Sequence, residues 1–238
     1  MLSGAAVPQE SVAREPSVRR GASKATLVHD DLHSAIVTLA LKPGARINKD
    51  ELCERLGVSR QPLAEALARL AEEGLVAVLP QKGTYVSRLH LSDVLEAAFV
   101  RRAIEVATVE AITPNVSQSV LEGFERNIAY QATALRAKDA EGFYALDLRF
   151  HAIIFEAIAM RKAMEVAERS RAQLERARRL FLPAPGRMQA TLREHRAIFS
   201  AIKARDAGAA TAAMAAHLDF IPTEVTRLAR ERPDLFAS

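Results

Sequence analysis

The feature that most constrains the fold is a tight turn, Gly57-Val58-Ser59, between two short amphipathic segments. Before the turn, Asn48 and Glu51 form a capping-box-like pair, which predicts a helix over about 49–56 that ends at Gly57. After the turn, Ser59 is a candidate cap, Pro62 occupies the first helical turn, and apolar residues recur at helical spacing. Two helices joined so closely constitute a helix-turn-helix.

The segments on either side extend this motif. An apolar stripe from Thr26 to Ala40 predicts a preceding helix, and two β-prone runs separated by Pro80-Gln81-Lys82-Gly83 predict a following hairpin, the wing. We therefore expect a winged helix-turn-helix over residues 25–89. Residues 1–24 lack apolar periodicity and are expected to be a disordered tail.

The rest of the chain has a helical period and predicts a second, all-helical domain over residues 92–230, followed by a tail over 231–238. Ser92 is a plausible cap for its first helix, and Pro222 should kink the last helix or end it early. The predicted helices span about 93–112, 117–138, 140–158, 162–182, 187–205 and 207–230. The expected fold class is mainly α: a winged helix-turn-helix followed by an all-α antiparallel helical bundle.

Composition indicates where in the cell the protein acts but not what it does. The single cysteine, Cys53, can form neither an internal disulfide nor a thiolate cluster, which fits a reducing cytoplasm. There is no run of about 18 apolar residues and no signal-peptide core, so we expect a cytoplasmic protein without a membrane partner. The formal net charge of +4 is too small to establish DNA binding by itself.

Residues that could read DNA lie at the start of the third helix. Arg60 can donate two hydrogen bonds to a guanine edge, and Gln61 can pair with an adenine edge. Residues suited to contacting the phosphate backbone are Ser59, Lys49, Arg69 and Lys82. The alternative is a small helical core whose charged side chains only face water.

The helical domain contains a candidate metal site. Asp147 and His151 are four residues apart on one predicted helix, so they share a face, while His195 and His217 lie on two later helices. Inward-facing polar residues of a bundle can converge on one point. A carboxylate with three imidazoles suits Zn²⁺, Ni²⁺, Mn²⁺ or Fe²⁺. The alternative for each histidine is a core imidazole bonded to a neighbour.

The N-terminal segment over residues 41–86 resembles the DNA-binding domain of the GntR family of bacterial regulators. The matching motifs are L-G-V-S-R-x-P at the start of the third helix and K-G-T-x-V in the wing. The resemblance implies DNA contacts by Ser59, Arg60 and Arg69 and by the wing tip, Gln81, Lys82 and Gly83. Many members have an arginine where this chain has Ala64, so one expected contact is missing.

The second half resembles the FCD ligand-sensing domain of the FadR subfamily, and six helices are typical of its VanR-type branch. The motifs D-x-x-x-H, E-H-x-x-I and a histidine in the last helix are all present, so Asp147, His151, His195 and His217 match the metal positions. The resemblance also places Arg101 where the family often holds an effector carboxylate. The alternative for Arg101 is an ion pair with Glu105.

Together these features predict a transcriptional regulator rather than an enzyme. We expect a homodimer on a pseudo-palindromic operator, whose affinity changes when a small carboxylic acid binds near the metal and alters the spacing of the recognition helices. One alternative is an architectural DNA-binding dimer with structural histidines. The other is a metal-dependent hydrolase, for which no suitably placed general base is evident.

Overall fold

The computed structural model describes residues 23–158, 161–162, 166, 171–181 and 184–237. The chain divides into two compact units between Leu89 and His90. Almost all of the predicted N-terminal tail lies outside the described residues, although Lys24, placed in that tail by the sequence, begins the first helix.

The first unit contains three helices and a small sheet. The helices are α1 (Lys24–Val37), α2 (Lys49–Leu56) and α3 (Arg60–Glu72), and the strands are β1 (Arg46–Ile47), β2 (Val76–Leu79) and β3 (Gly83–Val86). The sheet is antiparallel with the order β1-β3-β2. Helix α1 packs on α3, and their apolar faces, including Ile36 and Leu70, are fully buried.

The local signals around the helix-turn-helix explain its sharp boundaries. The Asn48 side chain accepts hydrogen bonds from the N–H groups of Asp50 and Glu51, as expected of a helix cap. Gly57 has φ 61°, the left-handed conformation that ends a helix without strain in glycine. Ser59 occupies the cap position of α3, but its hydroxyl makes no capping hydrogen bond.

Strand β1 is the element of this unit that the sequence does not predict. Its two residues pair with β3, Arg46 opposite Tyr85 and Ile47 opposite Thr84, and extend the predicted hairpin to three strands. Two residues are too few to show an alternating pattern, so only the long-range pairing defines this strand. The wing is therefore anchored to the segment that leads into α2.

The second unit is all helical in its described part. Its helices are α4 (Leu91–Ile112), α5 (Gln118–Ala137), α6 (Ala140–Ile158), α7 (Arg171–Phe181), α8 (Arg187–Lys203) and α9 (Ala207–Glu231), with 3₁₀ turns at Thr113–Asn115 and Pro233–Leu235. Helix α9 packs against α4 and α8, and α5 packs against α6 and α8. Phe124, Phe143 and Phe150 are fully buried in its core. None of the described helices is long and apolar enough to cross a membrane.

The start of α4 differs from the sequence prediction, and the last helix does not end early at Pro222. Helix α4 begins at Leu91 with His90 as its cap, so Ser92 is inside the first turn. Helix α9 continues past Pro222 to Glu231, because buried residues on both sides of the proline, such as Leu218 and Val225, keep its face packed. The first part of the helix predicted at 162–182 lies largely outside the described residues.

Candidate functional site

The structure brings the four predicted metal ligands together inside the second unit. Asp147 and His151 come from α6, His195 from α8 and His217 from α9, and all four are buried. One ligand atom of each lies within 4.8 Å of the others. The Nε2 atoms of His151 and His217 are 3.3 Å apart, and the His195 Nε2 is 3.7 Å from Asp147 Oδ1.

Helix geometry and aromatic packing position these side chains. Asp147 and His151 are one turn apart and project from the same face of α6. Phe150, fully buried beside them, stacks on the His195 ring with a centroid distance of 3.9 Å and an interplanar angle of 5°. This contact fixes the plane of the imidazole that α8 contributes.

Each histidine is oriented by a hydrogen bond at its outer ring nitrogen. The Nδ1 contacts are His151 to Glu105 Oε2 at 2.5 Å, His195 to Gln131 Oε1 at 2.9 Å and His217 to Glu194 Oε2 at 2.7 Å. Because these oxygens are acceptors, they favour the tautomer that carries its proton on Nδ1. The three Nε2 lone pairs then face the centre of the cluster.

These orienting residues are themselves held in place. Arg101 Nε donates to Glu105 Oε1 at 2.6 Å, and Arg187 donates to Glu194 Oε2 at 2.5 Å. Gln131 donates to the Asn127 side chain at 2.6 Å. Asp147, the fourth candidate ligand, is held by an arginine as well. Arg178 donates to its Oδ2 and leaves Oδ1 directed at the histidines.

The atoms at the centre of the cluster fit a metal ion. Asp147 Oδ1 and His195 Nε2 are buried without a hydrogen-bond partner among the described residues, which costs about 1–3 kcal/mol for each such group. Two nitrogen ligands at about 2.05 Å from a tetrahedral ion lie about 3.3 Å apart, as the Nε2 atoms of His151 and His217 do. The four residues could therefore hold a metal ion.

The electrostatics also suit a cation. Burial, together with the nearby Arg101 charge, holds the pKa of His151 well below its ordinary value. Burial lowers the pKa of His195 in the same way, assisted by His217. Burial alone would raise the pKa of Asp147, but Arg178 and the neighbouring histidines outweigh it and lower that pKa. An ionised carboxylate and neutral imidazoles are the forms that bind metals.

Sequence reasoning missed most of the residues that surround the ligands. Glu194 precedes His195 in the quoted motif, but no local pattern indicates that it binds His217. Gln131 and Arg178 come from other helices and leave no local signal. Arg101 makes the ion pair with Glu105 that was its alternative assignment, and this pair reaches the site because Glu105 also contacts His151.

The predicted DNA-reading residues lie on the surface of the first unit. Ser59, Arg60 and Gln61 are exposed at the start of α3, and Arg60 donates to Asp50 at 2.9 Å with both side chains largely exposed. Arg69 is half-buried near the other end of α3, about 14 Å further along the helix axis. It does not lie beside Arg60.

The first residues of β3 and the start of α2 line one surface depression next to the wing tip. Gln81 and Lys82 are exposed at the turn between β2 and β3, where Gln81 has φ 60°. Gly83 and Lys49 line the depression together with Arg46, a cation that the sequence did not single out. Gly83 has φ 119°, a conformation that residues with a Cβ rarely adopt, and an added Cβ would lie in ordinary contact with Arg46 Nε at 3.4 Å.

Comparison with known proteins identifies the family. The model of bacterial regulatory proteins of the gntR family matches residues 24–86, and the FCD domain model matches residues 96–220. The chain is 32% identical over 206 residues to the HTH-type transcriptional repressor RspR of Escherichia coli (strain K12), covering 87% of this chain and 90% of RspR. The chain belongs to the GntR family.

Further relatives agree. This GntR-family protein is 33% identical over 207 residues to an HTH-type transcriptional regulator of Streptomyces ambofaciens, covering 87% of each chain. A putative GntR transcriptional regulator from Rhodococcus sp. RHA1 shares its fold, with a TM-score of 0.73, 24% identity and coverage of 87% of this chain and 99% of the other. The resemblance to the FadR subfamily and the mainly helical fold class are thus confirmed, and the protein is a DNA-binding transcriptional regulator, not an enzyme.

Proposed function

We propose that this GntR-family protein is a homodimeric repressor whose operator affinity is controlled by a small carboxylic acid bound at a divalent metal ion. Residues 25–89 are the DNA-binding domain, and residues 92–230 bind the metal and the acid. The observation that carries the proposal is the convergence of three imidazole nitrogens and one carboxylate oxygen on a buried point. Two of these atoms have no hydrogen-bond partner within the described part of the chain. The name of RspR, a transcriptional repressor, supports repression over activation.

Asp147, His151, His195 and His217 would hold the ion, and the donor set suits Zn²⁺, Ni²⁺, Mn²⁺ or Fe²⁺. When bound, the ion would supply a positive charge and an open coordination position for a carboxylate oxygen. Arg101 is the candidate to orient the acid, because a guanidinium matches a carboxylate in geometry. It would have to exchange its bond to Glu105 for one to the acid.

On the DNA side, Arg60 and Gln61 would contact base edges from the start of α3. The remaining contacts, mainly to the phosphate backbone, would come from Ser59, Lys49, Arg69, Gln81, Lys82 and Gly83. The pair between Arg60 and Asp50 does not oppose this role, since an exposed ion pair contributes only about 0–1 kcal/mol and can exchange for a base contact.

Coupling between the two domains follows from linkage. If the acid binds one geometry of the FCD domain more tightly, it shifts the operator affinity by the same free energy, about 1–3 kcal/mol or roughly 5- to 150-fold. Two protomers on a pseudo-palindromic operator would convert a change in bundle geometry into a change in the spacing of the recognition helices.

A gel-shift assay on DNA from upstream of the protein's own gene tests the DNA-binding half. Arg60→Ala should weaken operator binding by about 1–3 kcal/mol. Arg126→Ala is a matched control, because Arg126 is also exposed and ion-paired, to Glu122, but lies in the second unit. Unchanged binding by Arg60→Ala would refute the assigned recognition helix.

Metal analysis of wild type and of the His151→Ala/His195→Ala double variant tests the other half. The wild-type protein should retain one ion per chain that the double variant loses. If the metal-loaded and metal-stripped proteins bind the operator equally, and no carboxylic acid changes their melting temperature, the second domain only dimerises and its histidines are structural.

A further inference from the structure

Three ion pairs next to the histidine cluster carry no net charge before any ion is added. Among the residues that the structure describes, three carboxylates contact the histidines, and each is paired with a guanidinium. The pairs are Asp147 with Arg178, Glu105 with Arg101 and Glu194 with Arg187. The three guanidinium side chains are only 8%, 11% and 9% exposed in that order, so water screens these charges weakly. Their sum is zero.

A divalent ion changes this balance by two charges. Its histidine ligands are neutral, and the one ligating carboxylate, that of Asp147, is already neutralised by Arg178. Uncompensated charge in a buried site is costly, so the free energy strongly favours a partner that brings negative charge into it. A monocarboxylate supplies one of the two charges, whereas a dicarboxylate supplies both.

A second anchoring point lies close to the cluster. Tyr144, three residues before Asp147 on α6, is 2% exposed, and its hydroxyl has no hydrogen-bond partner among the described residues. The guanidinium carbons of Arg178 and Arg179 lie 5.5 Å and 4.1 Å from the centre of its ring. Arg178 and Arg179 act on this group from one side of the charge balance, and Asp147 and Glu175 from the other. A buried hydroxyl donor that is flanked by two guanidinium groups can donate to a carboxylate oxygen.

We infer that the effector is a dicarboxylate, with one carboxylate on the metal ion and the other accepting a hydrogen bond from Tyr144. This inference rests on the proposed function and narrows its small carboxylic acid to a dianion. It also explains why binding should depend on the metal, because the three described ion pairs leave no excess positive charge for the dianion to neutralise in the metal-free protein.

Isothermal titration of succinate and butyrate into the zinc-loaded, full-length protein near pH 7.5 tests the inference. The two acids have the same number of carbons, but at this pH only succinate carries two charges. Succinate should bind at least about tenfold more tightly than butyrate, a difference of about 1.4 kcal/mol, and neither should bind the metal-stripped protein. Equal affinities would overturn the inference.

Charge-changing variants at one ion pair test the reason for the preference. Arg187→Gln removes a positive charge but keeps a donor for Glu194, so the ratio of succinate to butyrate affinity should fall. Glu194→Gln keeps an acceptor for His217 but leaves Arg187 uncompensated, so the ratio should rise, and the double variant should restore it. A purely structural role would change both affinities together and leave the ratio constant, which would contradict the charge argument.

Tyr144→Phe tests the second anchor. It removes only the hydroxyl, so it should weaken succinate binding and leave butyrate binding unchanged; an unchanged succinate affinity would remove Tyr144 from the site. The wild-type comparison needs no variant and remains decisive if a variant fails to fold. Equal binding of both acids contradicts only the dicarboxylate, whereas binding of neither acid to the zinc-loaded protein contradicts the carboxylate effector of the proposed function as well.

Discussion

Replacing Gln131 by methionine would separate the orientation of a metal ligand from the ligand itself. Gln131 is fully buried on α5, accepts from His195 Nδ1 at 2.9 Å and donates to Asn127 Oδ1 at 2.6 Å. Methionine is similar in size but offers neither group. The variant keeps all four ligands and removes both the acceptor that fixes the His195 tautomer and the donor to Asn127.

Two effects should follow, one on the stability of the metal-free protein and one on its metal affinity. The Nδ1–H of His195 and the Oδ1 of Asn127 would both lose a buried partner, at about 1–3 kcal/mol for each group, in the metal-free protein. His195 could then carry its proton on Nε2, the atom that must be free to bind metal. Loss of such an orienting partner typically lowers metal affinity about 10- to 100-fold.

Competition with a zinc chelator measures the affinity, and urea unfolding of the stripped protein measures the stability. Gln131→Glu is the matched control, because its carboxylate still accepts from His195 Nδ1 and should preserve zinc affinity even if the contact to Asn127 is lost. If the methionine variant binds zinc as tightly as the wild type while its stability falls, Gln131 only supports the core, and the tautomer argument fails.

Three further outcomes are expected. Burial lowers the pKa values of His151 and His195, so below about pH 6.5 the unfolded chain binds protons that the folded chain does not. In urea unfolding of the metal-free protein, the free energy of unfolding should therefore fall with acidification, by up to about 1.4 kcal/mol per pH unit for each histidine. A constant free energy of unfolding would contradict the burial of both histidines in the neutral form. Arg178→Met leaves the buried carboxylate of Asp147 unpaired, so it should lower the free energy of unfolding by about 3–5 kcal/mol in the metal-free protein and by less with zinc bound. An equal loss in both forms would show that the ion does not contact Asp147. Gly57 has φ 61°, so Gly57→Ala should lower the melting temperature by the equivalent of about 1 kcal/mol. Gly208→Ala, within α9, is the control and should not lower it. Equal melting temperatures for the two variants would refute the strain at the turn.

The sequence predicted what local patterns encode. Asn48 and Gly57 mark the two ends of α2 because a cap and a left-handed glycine act on their own helix. The spacing of Asp147 and His151 placed both on one face of α6 for the same reason. Bundle packing then made the convergence of His195 and His217 with them a reasonable expectation.

What the sequence could not predict depends on contacts between distant segments. Strand β1 is defined by its pairing with β3, and Gln131 acts on a histidine 64 residues away. Pro222 also shows the effect of packing: of the kink or early end that a local rule predicted, the early end does not occur, because packing of the helix face on both sides of the proline carries α9 on to Glu231. The orienting residues and the charge balance of the site became visible only in three dimensions.

The most direct test of the metal site is X-ray absorption spectroscopy of the full-length protein loaded with one equivalent of Zn²⁺. We expect a first shell of nitrogen and oxygen at about 2.0–2.1 Å, with the outer-shell scattering of three imidazoles and no sulfur. A shell with fewer imidazoles, or a spectrum unchanged by the His151→Ala/His195→Ala substitutions, would show that the ion binds elsewhere. Either result would contradict the assignment of the buried Asp/His cluster as the metal site.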